Sequence, residues 1–580
     1  MGMGFVSNIG ELSVVEVDRI LTAPGSEAEI TSEIIAGRRV RIWKNAPTTF
    51  SELLVHASKF GDATFLVQDS YHVSYDAFAR AVQRLAEEIK ASGLRPGDRV
   101  AIAMRNLPEW PVVFFAIMSV GAIAVPLNAW WTSRELTHAL KDSATSFLFV
   151  DDERWRVLED EAIMEDLDCV FVCRPQGTHE GAVSLEKIIG SPDKWAFLPP
   201  YLAEFAETEP EDPATILYTS GTSGLPKGAS GTHRNLLTCI FSMRYLALRA
   251  ALRAGIEPVP ASPKVLLLVI PLFHVTGLAA NLFPHMWIGS KVVLMGRWNA
   301  KDALALIKAE RVTVTGGVPT IPVQLLSETA SGDVDISSLE VLTYGGAPAP
   351  PTLASQIAGL GHCVPGNGWG MTETSATVTG HFGDDYVQRP ESAGPPVPVA
   401  ELRIVGDNVD LPPGEVGELW VRGPQVVQGY WNKPKETAET FVDGWVKTGD
   451  LCRIDSEGFL YVVDRAKDVI IRGGENIYSV EVESFLLRYP EVKEAAVFGI
   501  PHATLGEVPV AVVQVRENSN IDEELLLKWL ATQVARFKVP TKIGFQAAPL
   551  SRNANGKIQK NAIREQWILD DSTKTGSHIG

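Results

Sequence analysis

Between Tyr75 and Val150 the chain alternates between stretches of helical periodicity and short, continuously apolar runs. YDAFARAVQRLAEEIKA (Tyr75 to Ala91) carries its apolar residues at helical spacing, and the turn Arg95-Pro96-Gly97-Asp98 leads into the apolar strand Val100 to Met104. A helix at Glu109 to Val120, a strand at Ala122 to Pro126, a helix at Ser133 to Asp142 and a strand at Ser146 to Val150 follow. Strands apolar along their whole length must be covered on both faces, and helices between them are the crossovers that parallel neighbours require. The predicted fold class is therefore α/β, with layered parallel sheets.

From Glu401 the texture changes. Gly/Pro turns punctuate short strands (ELRIVG, GELWVRG, GFLYVVDR), which reads as a more antiparallel, β-rich subregion. After Asp464 comes a smaller pattern: strand Val469 to Arg472, helix Ser479 to Tyr489, strands Ala495 to Gly499 and Val508 to Arg516, helix Asp522 to Ala535. At 580 residues the chain exceeds what one hydrophobic core usually supports. The expected organisation is a large domain over 1–463, with 401–463 its β-rich part, a junction at 464–467, a small α+β domain over 468–565, and a polar tail over 566–580.

A net charge of -18 argues against general nucleic-acid binding, which needs clustered Lys and Arg, yet leaves nucleotide binding open. Five cysteines, an odd number, form no disulfide framework, and Cys169 and Cys173 lack a matching His/Cys pair for zinc. Buried free thiols in a reducing compartment are expected. The opening MGMGFVSNIGELSVVEVDR has early acids and no apolar core, so no secretory leader is read there. The most apolar run, Pro111 to Leu127, is short for a membrane span and contains Gly and Pro; a buried helix running into a buried strand explains it better. A cytoplasmic protein is expected, with no membrane span and its oligomeric state open, a homodimer included.

The strongest chemical signal is YTSGTSGLPKG, Tyr218 to Gly228, following an apolar strand at Ala214 to Tyr218. Glycines let backbone N–H groups turn onto a phosphate, hydroxyls add donors, and a lysine supplies a compact cation. The spacing is not that of a Walker A loop, since Pro226 precedes Lys227, and the glycines do not bracket a serine as in a nucleophile elbow. Six further blocks follow in order: PLFHVTGL (Pro271 to Leu278), YGGAPAP (Tyr344 to Pro350), GWGMTET (Gly368 to Thr374), KTGD (Lys447 to Asp450), DRAKDVIIRGGENIY (Asp464 to Tyr478) and NANGKIQK (Asn553 to Lys560).

Together these blocks resemble the superfamily of AMP-forming enzymes that contains acyl-CoA synthetases, luciferases and peptide-synthetase adenylation domains. The phosphate-loop signature matches Thr219 to Gly228, and the main departure is Trp369 where the family most often has Tyr. The resemblance implies ATP, Mg2+ and coenzyme A as reactants. It places Thr219, Ser220, Gly221, Thr222, Ser223, Gly224 and Lys227 on the phosphates, Thr372 and Glu373 on Mg2+, and Gly345, Gly346, Ala347 and Trp369, with Tyr344, around adenine. Asp450 takes the ribose hydroxyls, Arg465 ribose or phosphate, and Lys557 bridges carboxylate and α-phosphate. The small domain is expected to rotate about Lys467, bringing Gly473, Gly474 and Glu475 to the site for the thiol step. His274, Thr276, Gly277, Gly316 and Gly317 would line the acyl pocket, their small size reading as a roomy slot. No Asp follows Phe273, which disfavours an amino-acid substrate.

Three functions compete. The first is a coenzyme A ligase for a hydrophobic acid: medium or long-chain fatty, branched, aryl or arylalkanoic. The second is an acyl-AMP ligase loading a separate carrier protein or an amine. The third is a non-catalytic acyl- or nucleotide-binding protein, against which the joint presence of Glu373, Asp450, Arg465 and Lys557 argues.

Overall fold

The computed structural model describes residues 12–219, 226–329, 335–347, 349–350, 352–502, 504–516, 519, 521–552 and 558–576. Among them two eight-stranded sheets form the bulk of the protein. In the first, Ile123–Pro126, Arg99–Ala103, Phe147–Asp151 and Cys169–Cys173 run parallel, as their apolar sequence predicts. In the second, Lys291–Leu294, Val265–Leu268, Val314–Gly317, Val341–Gly345 and Val364–Met371 run parallel, and Ala376–Phe382 closes the edge antiparallel. The fold is thus α/β.

Every residue of the helix Glu109–Val120 is buried, which accounts for its apolar character on all sides. It joins the largest core, in which Trp110, Phe114 and Phe115 meet Phe50, Phe78 and Phe283. Among the described residues no helix is long and apolar enough to cross a membrane. All five cysteines are free thiols, four of them buried.

Ahead of the sheets, the capped helix Val14–Leu21 and the hairpin Ile30–Ile35/Arg38–Trp43 pack onto the body. Trp43 anchors there by donating its indole N–H to Ser242 Oγ at 3.1 Å.

From Glu401–Gly406 to Leu460–Arg465 the strands form an antiparallel sheet, where the turn-rich texture begins. A five-stranded sheet follows, from Ile470–Arg472 to Ile543–Gln546, with helices Ser479–Leu486 and Glu523–Leu530. The second helix is shorter than its sequence predicts. Within the stretch expected as a polar tail, the described residues from Gln566 to Gly576 continue a helix, Lys560–Gly576. Ile563 and Trp567 give that helix an apolar face on Phe498 and Val512, and a Cβ on Gly544 would fall 2.6 Å from the Trp567 ring.

The junction between these last two sheets is tied by charge. The Asp464 carboxylate, at the end of one sheet, accepts from Ser479 N and Ser479 Oγ at the start of the other's first helix. Lys560 Nζ donates to Ser479 Oγ and also stands against Glu483 Oε1, each at 2.7 Å.

Candidate active site

The strand Pro213–Thr219 pairs antiparallel with Lys227–Thr232, Thr219 opposite Lys227. Ser220, Gly221, Thr222, Ser223 and Gly224 lie outside the described residues, but they connect two strand ends held in register. The closeness of that pairing demands glycine at 228, where a Cβ would sit 2.5 Å from Ile216 Cγ2. Tyr218, one step before the loop, donates to Asp142 Oδ2 (2.9 Å), and Lys433 closes on Asp142 Oδ1 (2.7 Å). These bonds fix the strand that delivers the loop.

Glu373 sits in a single 3-10 turn, Thr372–Thr374, between the last two strands of the second sheet. Ser375 and Ala376 directly after it hold positive φ of 48° and 79°, a strained pair of the kind that functional sites tolerate. The carboxylate is buried, and desolvation raises its pKa; a hydrogen bond from Tyr430 opposes that rise, as does the charge of Arg465. Tyr430 Oη donates to Glu373 Oε1 at 2.8 Å, and Lys227 Nζ stands 5.3 Å from the centre of the same tyrosine ring. A desolvated, hard carboxylate of this kind suits Mg2+, whose charge removes the penalty of keeping it ionised.

Trp369 lies in the strand Val364–Met371 and donates its indole N–H to Asp450 Oδ2 at 2.8 Å. Asp450 faces Arg465 across the antiparallel pair of strands Trp445–Ile454 and Leu460–Arg465. Arg465 Nε is 3.1 Å from Asp450 Oδ1, yet points no N–H along that line, so this buried oxygen lacks a donor. An orphaned buried acceptor fits a hydroxyl donor such as a ribose supplies. Gly345 lies against Gly368, where a Cβ would be 3.2 Å from the Gly368 carbonyl, and Gly346 adopts φ +75° with open space beside it.

Tyr344 departs from expectation. Alternation along Val341–Gly345 turns its ring into the core, where its hydroxyl accepts from Tyr386 Oη at 2.7 Å. Its side chain therefore does not wall the adenine.

His274, expected at the acyl pocket, precedes a π-helical turn, Thr276–Leu282, a form often found at functional sites. Burial lowers its pKa to about 4, so the ring is neutral. Its Nδ1 accepts from Thr276 N at 3.2 Å, which leaves the proton on Nε2. The nearby glycines serve close packing rather than width. A Cβ at Gly277 would lie 2.2 Å from the Pro271 carbonyl, at Gly316 2.1 Å from Thr343 Oγ1, and at Gly317 2.4 Å from Ile321 Cδ1. Their smallness thus does not measure the slot.

Lys557 lies outside the described residues. Lys467 is exposed, one residue after Ala466, whose N–H donates to Gly449 O at 2.9 Å. Gly473 and Gly474, with φ of 61° and 90°, make the two-residue turn of a hairpin in which Arg472 faces Glu475. Among the described residues no hydrogen bond or ion pair ties that exposed turn to Glu373, Trp369 or Asp450. Sequence reading missed Tyr430, because an aromatic between Gly429 and Trp431 reads as ordinary turn packing; only its contacts mark it.

A family model described as AMP-binding enzyme matches residues 53–431, and one described as AMP-binding enzyme C-terminal domain matches 481–557. The chain belongs to the AMP-binding enzyme family. By kind, this AMP-binding enzyme is an AMP-forming acid–thiol ligase. It is 36% identical to a feruloyl-CoA synthase of an Amycolatopsis species over 497 residues, 85% of this chain and 94% of that protein. It is 34% identical to an indoleacetate–CoA ligase of Aromatoleum aromaticum over 495 residues, 85% of this chain and 93% of that one. Among solved structures it resembles the o-succinylbenzoate CoA synthetase of Bacillus subtilis in complex with its acyl-adenylate, with a TM-score of 0.72 and 30% identity, covering 88% of this chain and 97% of that one.

Proposed function

We propose that this AMP-binding enzyme activates a hydrophobic carboxylic acid, foremost one bearing an aromatic ring, as its acyl-AMP and passes the acyl group to the thiol of coenzyme A. The observation that carries the reading is the convergence of Trp369, Arg465 and the Asp450 carboxylate, whose Oδ1 is ion-paired to Arg465 but accepts no hydrogen bond, with the buried carboxylate of Glu373. The aromatic preference is supported by relatives named for ferulate and indoleacetate.

In the first step a carboxylate oxygen attacks the α-phosphorus and the bond to the β-phosphate oxygen breaks, releasing pyrophosphate. Attack by an anion on an anion needs neutralised charge and in-line alignment. Lys227 and the loop from Thr219 would hold the phosphates, Asp450 and Arg465 the ribose, and Lys557 would bridge the reacting oxygens. Mg2+ held at Glu373 would supply charge neutralisation on the phosphates. In the second step the thiol sulfur attacks the acyl carbon, AMP leaves with the bonding electron pair, and the thiol proton is released. Rotation about Lys467 would exchange Lys557 for the Gly473-Gly474-Glu475 turn between the steps.

Mass spectrometry of products tests this, with ATP, Mg2+, coenzyme A and a panel running from short to long fatty acids through benzoic, cinnamic and arylacetic acids. Acyl-CoA with AMP, strongest for the aromatic acids, is expected. Acyl-AMP or pyrophosphate without acyl-CoA would overturn coenzyme A as the acceptor, and a preference for fatty acids would overturn the aromatic assignment.

A further inference from the structure

Glu373 and Lys227 carry opposite charges, and each contacts the same aromatic side chain. An ion pair between two such groups would leave each with less to offer a triphosphate or a cation. Among the described residues Lys227 pairs with no carboxylate; its ammonium stands over the Tyr430 ring instead. The Tyr430 hydroxyl meanwhile holds Glu373 Oε1.

The backbone of Tyr430 is fixed to the hairpin that bears the phosphate loop. Gly429–Tyr430 adds to the edge of the first sheet, Tyr430 opposite Ala229 and Gly429 opposite Ser230. Trp431 N donates to Gly228 O at 2.7 Å and Gln428 N to Ser230 O at 3.1 Å. Tyr430 N donates to Thr437 Oγ1 at 2.9 Å, and a Cβ at Gly429 would collide with Thr437. Phe441 packs edge-on against the ring, with centroids 5.5 Å apart. A side chain held from so many directions sets the positions of what it touches.

We infer that Tyr430 is a positioning residue: it holds the Glu373 carboxylate by its hydroxyl and the Lys227 ammonium by its ring face, keeping the two charges apart and free for Mg2+ and the triphosphate. This rests on the ATP-dependent reading above. The two handles separate chemically. Tyr430→Phe keeps the ring for Lys227 and removes only the hydroxyl; Tyr430→Leu removes both.

Titration calorimetry of ATP binding, with Mg2+ and with EDTA, tests it on protein whose unfolding temperature has first been measured. For Tyr430→Phe, ATP affinity in Mg2+ should fall about ten-fold, as expected for loss of one hydrogen bond to a charged group, with affinity in EDTA unchanged. For Tyr430→Leu, both should fall. Equal affinity of Tyr430→Phe and the parent protein in Mg2+ would overturn the proposal, as would a loss of the same size in Mg2+ and EDTA, which marks a merely structural role. Failure of the underlying reading looks different: the parent protein itself would then bind no ATP and release no pyrophosphate with any acid.

Discussion

Trp369 and Asp450 are joined by a hydrogen bond of 2.8 Å from the indole N–H to Oδ2, reaching between two different sheets. The bond occupies one carboxylate oxygen and leaves the other, beside Arg465, without a donor. The Trp369 indole thereby orients the carboxylate that the family resemblance assigns to the ribose.

Trp369→Phe keeps a ring and removes this donor. ATP KM in the adenylation step should rise about ten-fold, in line with the ~1.5 kcal/mol of a hydrogen bond to a charged group, while kcat changes little. Steady-state pyrophosphate release against ATP concentration measures it; an unchanged KM would remove the orienting role.

Glu373→Gln should trade activity for stability. Burial raises the Glu373 carboxyl above its ordinary 4.5, so the folded protein holds that proton more tightly than the unfolded chain. The associated stability is complete below 4.5 and is lost as pH rises through the raised value. Glutamine does not ionise, so the variant should unfold at a higher temperature than the parent at neutral pH and at a similar one below pH 4.5. Adenylation should fall about a hundredfold or more through loss of the metal carboxylate. Thermal unfolding across pH, with pyrophosphate release alongside, checks both halves.

His233, His274, His285 and His381 are each lowered by burial to about 4. Such groups bind protons more readily in the unfolded chain, so stability should be present above about 6.5 and drain away as pH falls toward 4. His285→Gln should make that decline shallower. Urea unfolding midpoints from pH 7 to 4 would show it, and an identical slope would remove His285 from the account.

Lys557→Ala and Gly474→Leu should divide the two half-reactions. The first should lower adenylation about a hundredfold or more while sparing thioester formation from supplied acyl-AMP. The second should block transfer to coenzyme A while pyrophosphate release continues, and its positive φ adds backbone strain of about 1 kcal/mol. Equal loss of both half-reactions in Lys557→Ala, or surviving transfer in Gly474→Leu, would reverse the assignments.

The sequence by itself determined the layered α/β fold, because an apolar run such as Val100 to Met104 has few stable places other than a sheet covered on both faces. It determined the antiparallel turn of texture at Glu401, since Gly/Pro punctuation is local chemistry, and it determined the family, since seven ordered blocks are read residue by residue. The tertiary structure decided what depends on partners far apart in the chain. It turned Tyr344 into the core through strand alternation and filled the space beside Gly277 with the Pro271 carbonyl. It drew residues beyond Gln566 into a helix on the small sheet, and it set Tyr430 between Lys227 and Glu373. Periodicity and motif are properties of neighbouring residues, whereas burial, orphaned acceptors and long-range contacts exist only once distant segments have been brought together.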